Sequence, residues 1–411
     1  MIDADLVQAA AEHGTPLFVY DLDAVADRVA KLRSALPARV QLAYAVKANP
    51  SLAVLRRMAA TGIGADVASA GELAAVMRAG FPSERIVFTG PGKRDPELAE
   101  AAAGGLRAIT VESLGELDRL RAAAQLHGAR PRVLLRAAGS ERPANVVGAG
   151  DGRFGMRRGD LTTAAIAAAA APELELVGVH RFDASNLLDA DDLVAAASET
   201  VTVAASLAAE ADIRLRLIDL GGGLGIPYRD DERPLDLVRL GEGLAALIAR
   251  LDRDDRLAGA PLLLEPGRYL VGPAGTYLVR VIDVKETDAG HVATVDGGVH
   301  HLLRPALIGR AHRVRLVSLR REPAQTVTIG GPLCTGLDVM ARHIELPKLA
   351  PGDLLAVEDA GAYGFTESMP LFLSHPMPAE VVLEGGSMRL ARPRIEPEHF
   401  LDMQERMVTA P

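Results

Sequence analysis

Short apolar runs alternate with helical stretches over the first two thirds of the chain, and this alternation limits the fold more than any other sequence feature. The stretches between the runs are rich in Ala, Leu and Arg. Strands that alternate with helices form parallel β/α units, and eight units are the number that closes a barrel. A doubly wound open sheet is the alternative that the same alternation allows. The eight runs are Gln41–Val46, Gly62–Ser69, Arg85–Gly90, Arg107–Ser113, Arg132–Ala137, Leu174–Phe182, Leu215–Gly223 and Pro261–Arg268.

The connecting stretches predict one helix after most of these runs. We expect helices over Leu52–Ala60, Gly71–Ala79, Leu161–Ala171 and Pro234–Arg250, and others that begin near Asp95, Gly115 and Ala190. The polar stretch from Ala137 to Met156 is too long for an ordinary connection, so we expect a mobile loop there.

The pattern changes after Pro273, where helical periodicity becomes sparse. Short strand-like runs separated by turn residues follow, which is typical of an antiparallel β domain. The opening run "PLFVYDL" is also strand-like and is expected to join that domain. The sequence therefore predicts an α/β barrel over residues 25–272 and a β domain built from residues 1–24 and 273–411.

Charge and cysteine content exclude several classes of function. The net charge is −9 and there is no basic block, so nucleic acid is not an expected partner. No apolar run looks long enough to cross a bilayer, and the N-terminus lacks a signal-peptide pattern. The single cysteine, Cys334, cannot form an internal disulfide and fits a reducing cytoplasm.

Unusual residues recur where the predicted barrel strands end. In a β/α barrel the chemistry is carried out at the C-terminal ends of the strands. Scattered structural polar residues would not all choose that end, so the pattern predicts an active site. The residues concerned are Lys47, Asp66, Arg136, His180, Phe182, Ser185, Gly221, Gly222, Gly223, Glu265 and Arg268.

Lys47 is one of only five lysines among 45 basic residues, and it follows the apolar run of the first strand. Burying an ammonium is costly unless the group is paired or neutralised. A lysine at a strand end is often simply solvated, a lone histidine such as His180 is often a core residue, and Cys334 alone is often a small buried side chain. No histidine spacing indicates a metal site beyond the adjacent pair His300 and His301.

One chemistry uses the whole set of strand-end residues. The sequence "GGGLG" fails the dinucleotide pattern, but its backbone N–H groups are suited to hold a phosphate. A lysine, a phosphate turn, a carboxylate and a flat side chain together describe a site for pyridoxal 5'-phosphate. Lys47 would then bond covalently to the cofactor aldehyde, which explains a lysine at the end of a buried strand.

The motifs also resemble a known family, the fold-type III pyridoxal phosphate decarboxylases, which include the diaminopimelate and ornithine decarboxylases. The resemblance covers nearly the whole chain and keeps the family order of motifs. It implies a barrel with a β domain, as in alanine racemase. The motifs are "YAVKANP", "GADVASAGEL", "GGGLGIPY", "EPGRYLVGPAG", "VDGG", "RPAL", "GPLCTGLD" and "DAGAYG".

The resemblance implies a role for each site residue. Lys47 would bind the cofactor covalently, Asp66 would lie beside it, and Glu265 would face the pyridine nitrogen. Cys334, from the β domain of a second subunit, would donate the proton that replaces the carboxylate, so the enzyme would be a homodimer with shared active sites. The further cofactor contacts would be Arg136, His180, Phe182, Ser185, Gly222, Gly223, Pro266, Gly267, Arg268 and Tyr363, and the substrate contacts Arg268, Arg304, Thr335 and Tyr363.

Three departures from the family pattern concern the substrate. The cofactor-stacking position, usually histidine, is Phe182; the acidic residue that follows the catalytic cysteine is Thr335; and the tyrosine after "RPAL" is Ile308. Because Thr335 cannot pair with a distal ammonium, we expect a substrate other than diaminopimelate, ornithine or lysine. "GPLCTGLDV" and "LFLSHPMPAEV" resemble a secondary-metabolite branch that includes decarboxylases of carrier-protein-tethered aminoacyl groups.

Two other functions remain compatible with parts of this pattern. An amino-acid racemase shares the barrel and β-domain plan, but it needs a second base that faces Lys47, and "GPLCTGLD" favours decarboxylation. A non-catalytic pyridoxal phosphate-binding protein would resemble the barrel alone and would not explain Cys334 or the residues after the barrel.

Overall fold

The computed structural model of this chain describes residues 1–139, 153–183, 185–288, 290–317 and 323–408. Most of the loop predicted from Ala137 to Met156 lies outside these residues. The chain forms two compact units. The barrel unit comprises Ala26–Pro227 and Arg233–Tyr269, and the β unit comprises Met1–Val25, Tyr228–Glu232 and Leu270–Pro411.

Eight parallel strands close the barrel, and each pairs with its neighbours in sequence until the last pairs with the first. This closure confirms the barrel and rules out the open sheet. Seven of the strands are shorter than their predicted runs, because the flanking glycines and polar residues lie outside the pairing, and the first strand has the predicted length but begins one residue earlier. The strands are β2 (Val40–Ala45), β3 (Gly64–Val67), β4 (Ile86–Phe88), β5 (Ala108–Val111), β6 (Arg132–Arg136), β7 (Glu175–His180), β8 (Leu217–Asp219) and β9 (Leu262–Leu264).

The helices of this part of the chain begin and end at ordinary capping signals. The Ser69 and Ser113 hydroxyls accept hydrogen bonds from the Glu72 and Glu116 backbone N–H groups, at 3.2 and 3.1 Å. Gly128 ends one helix in a left-handed conformation. The helices are α2 (Leu22–Ala35), α3 (Leu52–Ala60), α4 (Ala70–Ala79), α5 (Asp95–Ala103), α6 (Leu114–His127), α7 (Arg158–Ala170), α8 (Ala190–Glu210) and α9 (Leu237–Leu251).

Aliphatic side chains fill the barrel, as the low aromatic content requires. Their exclusion from water is the main favourable term for this unit. Every member of the central cluster is at most 5% exposed, so the barrel is a packed core and its chemistry is confined to the ends of the strands. The cluster consists of Ala43, Val87, Ala108, Leu134, Val177, Leu217 and Leu263.

Helix α8 corrects the expectation that no apolar stretch of the sequence is long enough to cross a bilayer. It is long and apolar enough, by length and composition, to cross a membrane. However, Leu193, Val201 and Leu207 on its buried face are packed inside the barrel unit. A core helix of a barrel passes the same test, so this helix gives no support for a membrane location.

The β unit is built around a nine-stranded sheet whose main path runs β14-β13-β11-β10-β1-β16-β17. Most neighbouring strands are antiparallel, as expected, but β1–β16 and β11–β13 are parallel. The N-terminal strand lies between β10 and β16. The strands are β1 (Leu17–Asp21), β10 (Gly275–Thr287), β11 (Gly290–Val295), β12 (Val314–Leu316), β13 (Ala324–Gly330), β14 (Val339–Pro347), β15 (Leu354–Val357), β16 (Ala379–Glu384) and β17 (Ser387–Arg392).

Four further helices complete the described structure. α1 packs its buried face, which includes Leu6 and Ala9, into a cluster with Val19, Leu278 and Val381 of the sheet. This cluster joins the first twenty residues to the C-terminal strands. The helices are α1 (Asp3–His13), α10 (Arg268–Val271), α11 (Arg304–Ile308) and α12 (Glu398–Val408).

The adjacent histidines His300 and His301 are both buried in the β unit, with ring centroids 3.7 Å apart. The two ring nitrogens of His301 lie 2.9 Å from the Tyr277 hydroxyl and from the Pro376 carbonyl oxygen. Burial, and then the neighbouring His375, lower the pKa of His300 to about 4. His300 is therefore a neutral, structural residue at neutral pH.

Candidate active site

Lys47 lies in a single turn of 3₁₀ helix directly after β2. Its side chain is 49% exposed, while Asp66, at the end of the neighbouring strand β3, is almost fully buried. The Lys47 Nζ atom lies 3.2 Å from Asp66 Oδ2. Lys47 is therefore not a buried charge. It is a reachable amine beside a buried carboxylate, which is the arrangement that a nucleophilic lysine requires.

Asp66 is held in an environment that disfavours its charge. Burial raises the pKa of Asp66, the charge of Glu265 raises it further, and Lys47 lowers it. Asp66 Oδ1 is buried and has no hydrogen-bond partner among the described residues. The charge of Lys47 is the largest of the effects that lower the pKa of Asp66 and so favour its ionised form.

Glu265 follows β9 and meets His180 at the end of β7. His180 Nε2 lies 3.6 Å from Glu265 Oε2, and both side chains are almost fully buried. Burial raises the pKa of Glu265, but the nearby His180 and Lys47 lower it more, so that it falls to about 2. Glu265 Oε1 and both His180 nitrogens have no hydrogen-bond partner among the described residues. A charged carboxylate with a free oxygen is thus available to a ligand.

Asp219, at the end of β8, completes this group and was not predicted from the sequence. His180, Asp219 and Glu265 each offer an atom within 4.8 Å of the others. They are the one set of three potential metal-ligating side chains within the described ranges. The sequence did contain a signal, because Asp219 stands directly before the glycine turn at the end of a predicted strand.

The glycine turn after β8 has no room for side chains. A Cβ atom on Gly222 would lie 2.6 Å from the Glu265 carbonyl oxygen. Gly221 has φ +66°, and a Cβ there would lie 3.2 Å from the Phe182 ring. Such a turn exposes backbone N–H groups, which suits it to an anion such as a phosphate. The predicted residues Phe182, Gly222 and Glu265 are thus brought together.

The segment from Glu265 to Arg268 is packed against the strand that carries Lys47. The Ala45 N–H donates to the Pro266 carbonyl oxygen at 3.3 Å, and a Cβ on Gly267 would lie 2.9 Å from Ala48 Cβ. This contact fixes Glu265 relative to Lys47. Ser185 lies in the turn between β7 and α8, and Arg268 begins α10; both are half-buried.

Arg136, at the end of β6, is buried, and its partner was also missed from the sequence. Its Nη1 atom donates to Glu112 Oε1 at 2.7 Å. The Phe154 ring lies 4.9 Å from the guanidinium carbon. The Glu112 N–H in turn donates to Glu116 Oε2 at 2.8 Å. Arg136 is therefore anchored by protein groups at the same end of the barrel.

Lys93, in the connection between β4 and α5, extends this network. Its ammonium is 1% exposed and donates to the Gly90 and Thr110 carbonyl oxygens and to Glu116 Oε1, at 2.7, 2.6 and 2.7 Å. All three ammonium donors are therefore satisfied. The network runs from Lys93 through Glu116 and Glu112 to Arg136.

Within the β unit, Cys334 is exposed on the connection between β13 and β14. Buried Asp338 holds this connection. It accepts hydrogen bonds from the Leu333 N–H at 2.7 Å and from the Val299 N–H at 2.8 Å. A Cβ on Gly331 would lie 2.3 Å from the Asp338 carboxylate, so only glycine fits there. The cysteine is thus presented on a fixed backbone.

The other site residues predicted in the β unit, Thr335, Arg304 and Tyr363, differ in burial. Thr335 is half-buried next to Cys334, and its hydroxyl accepts from the Leu337 N–H at 3.3 Å. Arg304 is buried, with its guanidinium carbon 3.6 Å from the centre of the Tyr228 ring. Tyr363 is half-buried in a left-handed conformation with φ +54°.

The barrel residues fit pyridoxal phosphate on structural grounds alone. They provide a reachable lysine, an anionic carboxylate with a free oxygen and a glycine turn that leaves backbone N–H groups available. The orphaned atoms of Asp66, His180 and Glu265 are the groups that a bound ring would satisfy.

Comparison with known proteins agrees with this site. The family described as pyridoxal-dependent decarboxylase, pyridoxal binding domain, matches residues 22–272. Diaminopimelate decarboxylase of Methanothermobacter thermautotrophicus is 36% identical, covering 97% of this chain and 93% of that protein. The L-glutamyl-[BtrI acyl-carrier protein] decarboxylase of Niallia circulans is 32% identical, covering 95% and 93%.

A solved structure extends the agreement to the whole fold. Diaminopimelate decarboxylase from M. jannaschii, crystallised with L-lysine, superposes with a TM-score of 0.90 at 29% identity, and the match covers 97% of this chain and 94% of that one. The chain therefore belongs to the fold-type III pyridoxal phosphate-dependent decarboxylases and is a carboxy-lyase that uses this cofactor.

Proposed function

We propose that this decarboxylase removes the α-carboxylate of an amino acid or amino-acid derivative other than diaminopimelate, ornithine or lysine. The observation that carries the proposal is Thr335, half-buried directly after Cys334, where the family has an acidic residue. A distal ammonium that entered this site would find no carboxylate at position 335. Losing a buried charge pair of this kind costs a substrate several powers of ten in binding.

The barrel residues have separate tasks toward the cofactor. Bound pyridoxal phosphate supplies an electron sink for the electrons that carbon dioxide leaves behind. Lys47 would hold the cofactor covalently through its amine. Glu265 would favour a protonated ring nitrogen, because His180 and Lys47 lower the pKa of Glu265 to about 2 and so favour its charged form.

Other barrel residues orient the cofactor. The glycine turn, through Gly222 and Gly223, would hold the phosphate together with Ser185, Gly267 and Arg268. Phe182, which packs at Gly221, would supply the flat side chain for the ring in place of the usual histidine. His180 and Asp66 would also contact the cofactor.

Cys334 protonates the α-carbon after carbon dioxide has left. The C–C bond to the carboxylate breaks, its electron pair stays with the α-carbon, and the thiol proton completes a new C–H bond. We propose that this thiol reaches the barrel of a second subunit, so that the enzyme is a homodimer with shared sites. Its exposure on the fixed β13–β14 connection supports this role. Arg304 and Tyr363 of the β unit complete the substrate side.

The substrate is a free amino acid or an aminoacyl group on a carrier protein. The diaminopimelate decarboxylases among the relatives favour a free substrate of that type, and Thr335 argues against it. The relative named for an acyl-carrier-protein substrate supports the tethered form. The racemase and the non-catalytic alternatives lose their basis, because the chain belongs to a family of decarboxylases over its full length. A single, exposed cysteine further supports a reducing, cytoplasmic setting.

The test is a substrate panel in D₂O, with the purified holoenzyme and with Lys47→Ala as the matched control. The panel holds both enantiomers of free amino acids, dicarboxylic amino acids and carrier-tethered aminoacyl groups. Loss of carbon dioxide with one deuteron gained at the α-carbon, absent from Lys47→Ala, identifies the substrate class. Efficient turnover of diaminopimelate by the unaltered enzyme would overturn the proposed specificity.

Thr335→Glu provides the reciprocal experiment. Restoring the acidic residue should create activity toward diaminopimelate or lysine where the parent has little, and it should lower activity toward the parent's own substrate. An unchanged preference would mean that position 335 does not read the distal group.

A further inference from the structure

Among the buried side chains His180, Asp219 and Glu265, Asp219 is the one that the proposed function leaves without a role. It is 0% exposed. Its Oδ1 atom accepts a hydrogen bond from the N–H of Gly221 at 3.0 Å. Its Oδ2 atom is buried and has no hydrogen-bond partner among the described residues. Burying a carboxylate oxygen without a hydrogen-bond donor destabilises the folded protein, so we expect this oxygen to carry a proton or to contact a ligand.

The groups around Asp219 determine whether Asp219 or Glu265 carries the proton. Glu265 and His180 each offer an atom within 4.8 Å of Asp219. The charge of Asp66 also acts on Asp219, and Arg107 is a further basic group whose charge interacts with it. Two carboxylates this close in a dry site do not both ionise. Burial first, and then the charge of Glu265, raise the pKa of Asp219 well above its usual range. Glu265 is the ionised partner, because His180 and Lys47 favour its charge.

We propose that Asp219 carries a proton on Oδ2 and donates it as a hydrogen bond to the Glu265 carboxylate, while its Oδ1 holds the first glycine of the phosphate turn. Asp219 is therefore a positioning residue. It joins the carboxylate that faces the cofactor nitrogen to the turn that receives the cofactor phosphate. The inference rests on the proposed function only for what Glu265 and the turn bind, since the proposed Asp219–Glu265 hydrogen bond joins two groups of the protein and needs no cofactor.

The protonated Asp219 side chain would stabilise the Glu265 anion and would also hold the backbone of Gly221. Glu265 must remain an anion in a buried site, and a neutral donor stabilises it without adding a second negative charge. The phosphate turn must keep its left-handed Gly221, and the Gly221 N–H is held by the same carboxyl group. An amide at position 219 provides an acceptor and a donor in nearly the same shape, whereas alanine provides neither.

The first experiment uses infrared spectroscopy of the apoprotein, so it does not depend on any activity. The spectrum of Asp219→Asn is subtracted from that of the unaltered protein. The difference spectrum should show the C=O band of a protonated carboxylic acid, and the band should shift in D₂O. The difference separates Asp219 from other carboxyls whose pKa is also raised by burial, such as Asp296. Asp212→Asn, at an exposed aspartate of the same unit, should leave the spectrum unchanged. Absence of the band from the difference overturns the proposal.

The second experiment measures the affinity of the apoprotein for pyridoxal phosphate by its absorbance. Asp219→Asn should bind within about threefold of the unaltered protein, and Asp219→Ala about 10- to 100-fold more weakly, as expected for unmade hydrogen bonds in a buried site. Far-ultraviolet circular dichroism shows whether each variant is folded. Equal affinities of the Asn and Ala variants overturn the positioning role. If the infrared result holds while no substrate is decarboxylated, the proposed substrate class fails and this inference stands.

Discussion

Replacement of Lys93 by methionine tests how much the buried network behind Arg136 contributes to the barrel. Methionine keeps the length and the apolar stem of lysine, so the change removes the ammonium and little volume. Glu116 would then be a carboxylate that is 4% exposed and has lost its cation, and the Gly90 and Thr110 carbonyl oxygens would lose their donor.

The size of the effect follows from burial. Removing one partner of a buried ion pair costs about 3–5 kcal/mol, because the other charge is left uncompensated. That range corresponds to a change of about two to three and a half powers of ten in the unfolding equilibrium. The adjacent Arg94→Met change is the matched control. Arg94 is 79% exposed and pairs with Glu97 at 3.1 Å, and exposed pairs contribute about 0–1 kcal/mol.

Urea unfolding of the apoprotein, followed by the helical circular dichroism band, measures both variants. The band reports mainly the barrel unit, because most of the helices belong to it. Lys93→Met should move the midpoint strongly and Arg94→Met very little. Lys93→Met combined with Glu116→Gln should recover much of the loss, since the glutamine is neutral and still accepts from the Glu112 N–H. Equal effects of the two single changes, or no recovery in the double variant, would refute the argument.

Further predictions concern the site and the pH response. Lys47→Ala should abolish turnover, and borohydride reduction should no longer attach the cofactor to the protein; normal activity would defeat the assignment. Cys334→Ala should slow product formation far more than it weakens cofactor binding, and an equal rate would remove it as proton donor. Burial lowers the pKa of His300 from 6.5 to about 4 in the folded protein. Between these values the unfolded chain binds a proton at this residue and the folded chain does not, so the free energy of unfolding falls as the pH drops from 6.5 toward 4. His300→Phe should therefore flatten this limb of a stability–pH profile, and an unchanged slope would contradict it.

Much of the fold could be predicted because the barrel strands are apolar and sit between helices with clear caps. Seven of the eight barrel strands lie within their predicted runs, and β2 begins one residue before its run, at Val40. In the β unit after Pro273, the predicted strand-like runs are "TYLVRVIDVK", "HVATVDGG", "RVRLVSL", "QTVTIGG", "DLLAVEDAG" and "AEVVLEGG", and neither β14 nor β17 is among them. The β14 sequence, "VMARHIELP", carries charged and polar residues on both sides of the strand and gives no alternation. The two parallel pairings in the sheet could not be predicted, since they depend on which distant strands become neighbours.

In the site, too, residues could be predicted from their position at a strand end, but not from partners that are distant in the sequence. Lys47, Asp66, Glu265 and the glycine turn were predictable because they end strands, and the strand ends of a barrel converge. Glu112 and Asp219 were missed because their importance comes from partners on other strands, Arg136 and Glu265, that only the closed barrel brings near.

The place of β1 in its sheet sets an order of events for the nascent chain. Leu17 pairs with Ala379 on one side and with Leu278 on the other, so a strand made among the first residues waits for one made near the last. The whole barrel leaves the ribosome in the interval and can fold as a unit before the sheet closes. Contacts this distant in sequence form slowly. Until β16 arrives, β1 offers an unpaired apolar edge, and chains that stop short of Ala379 would expose it permanently to association with other strands.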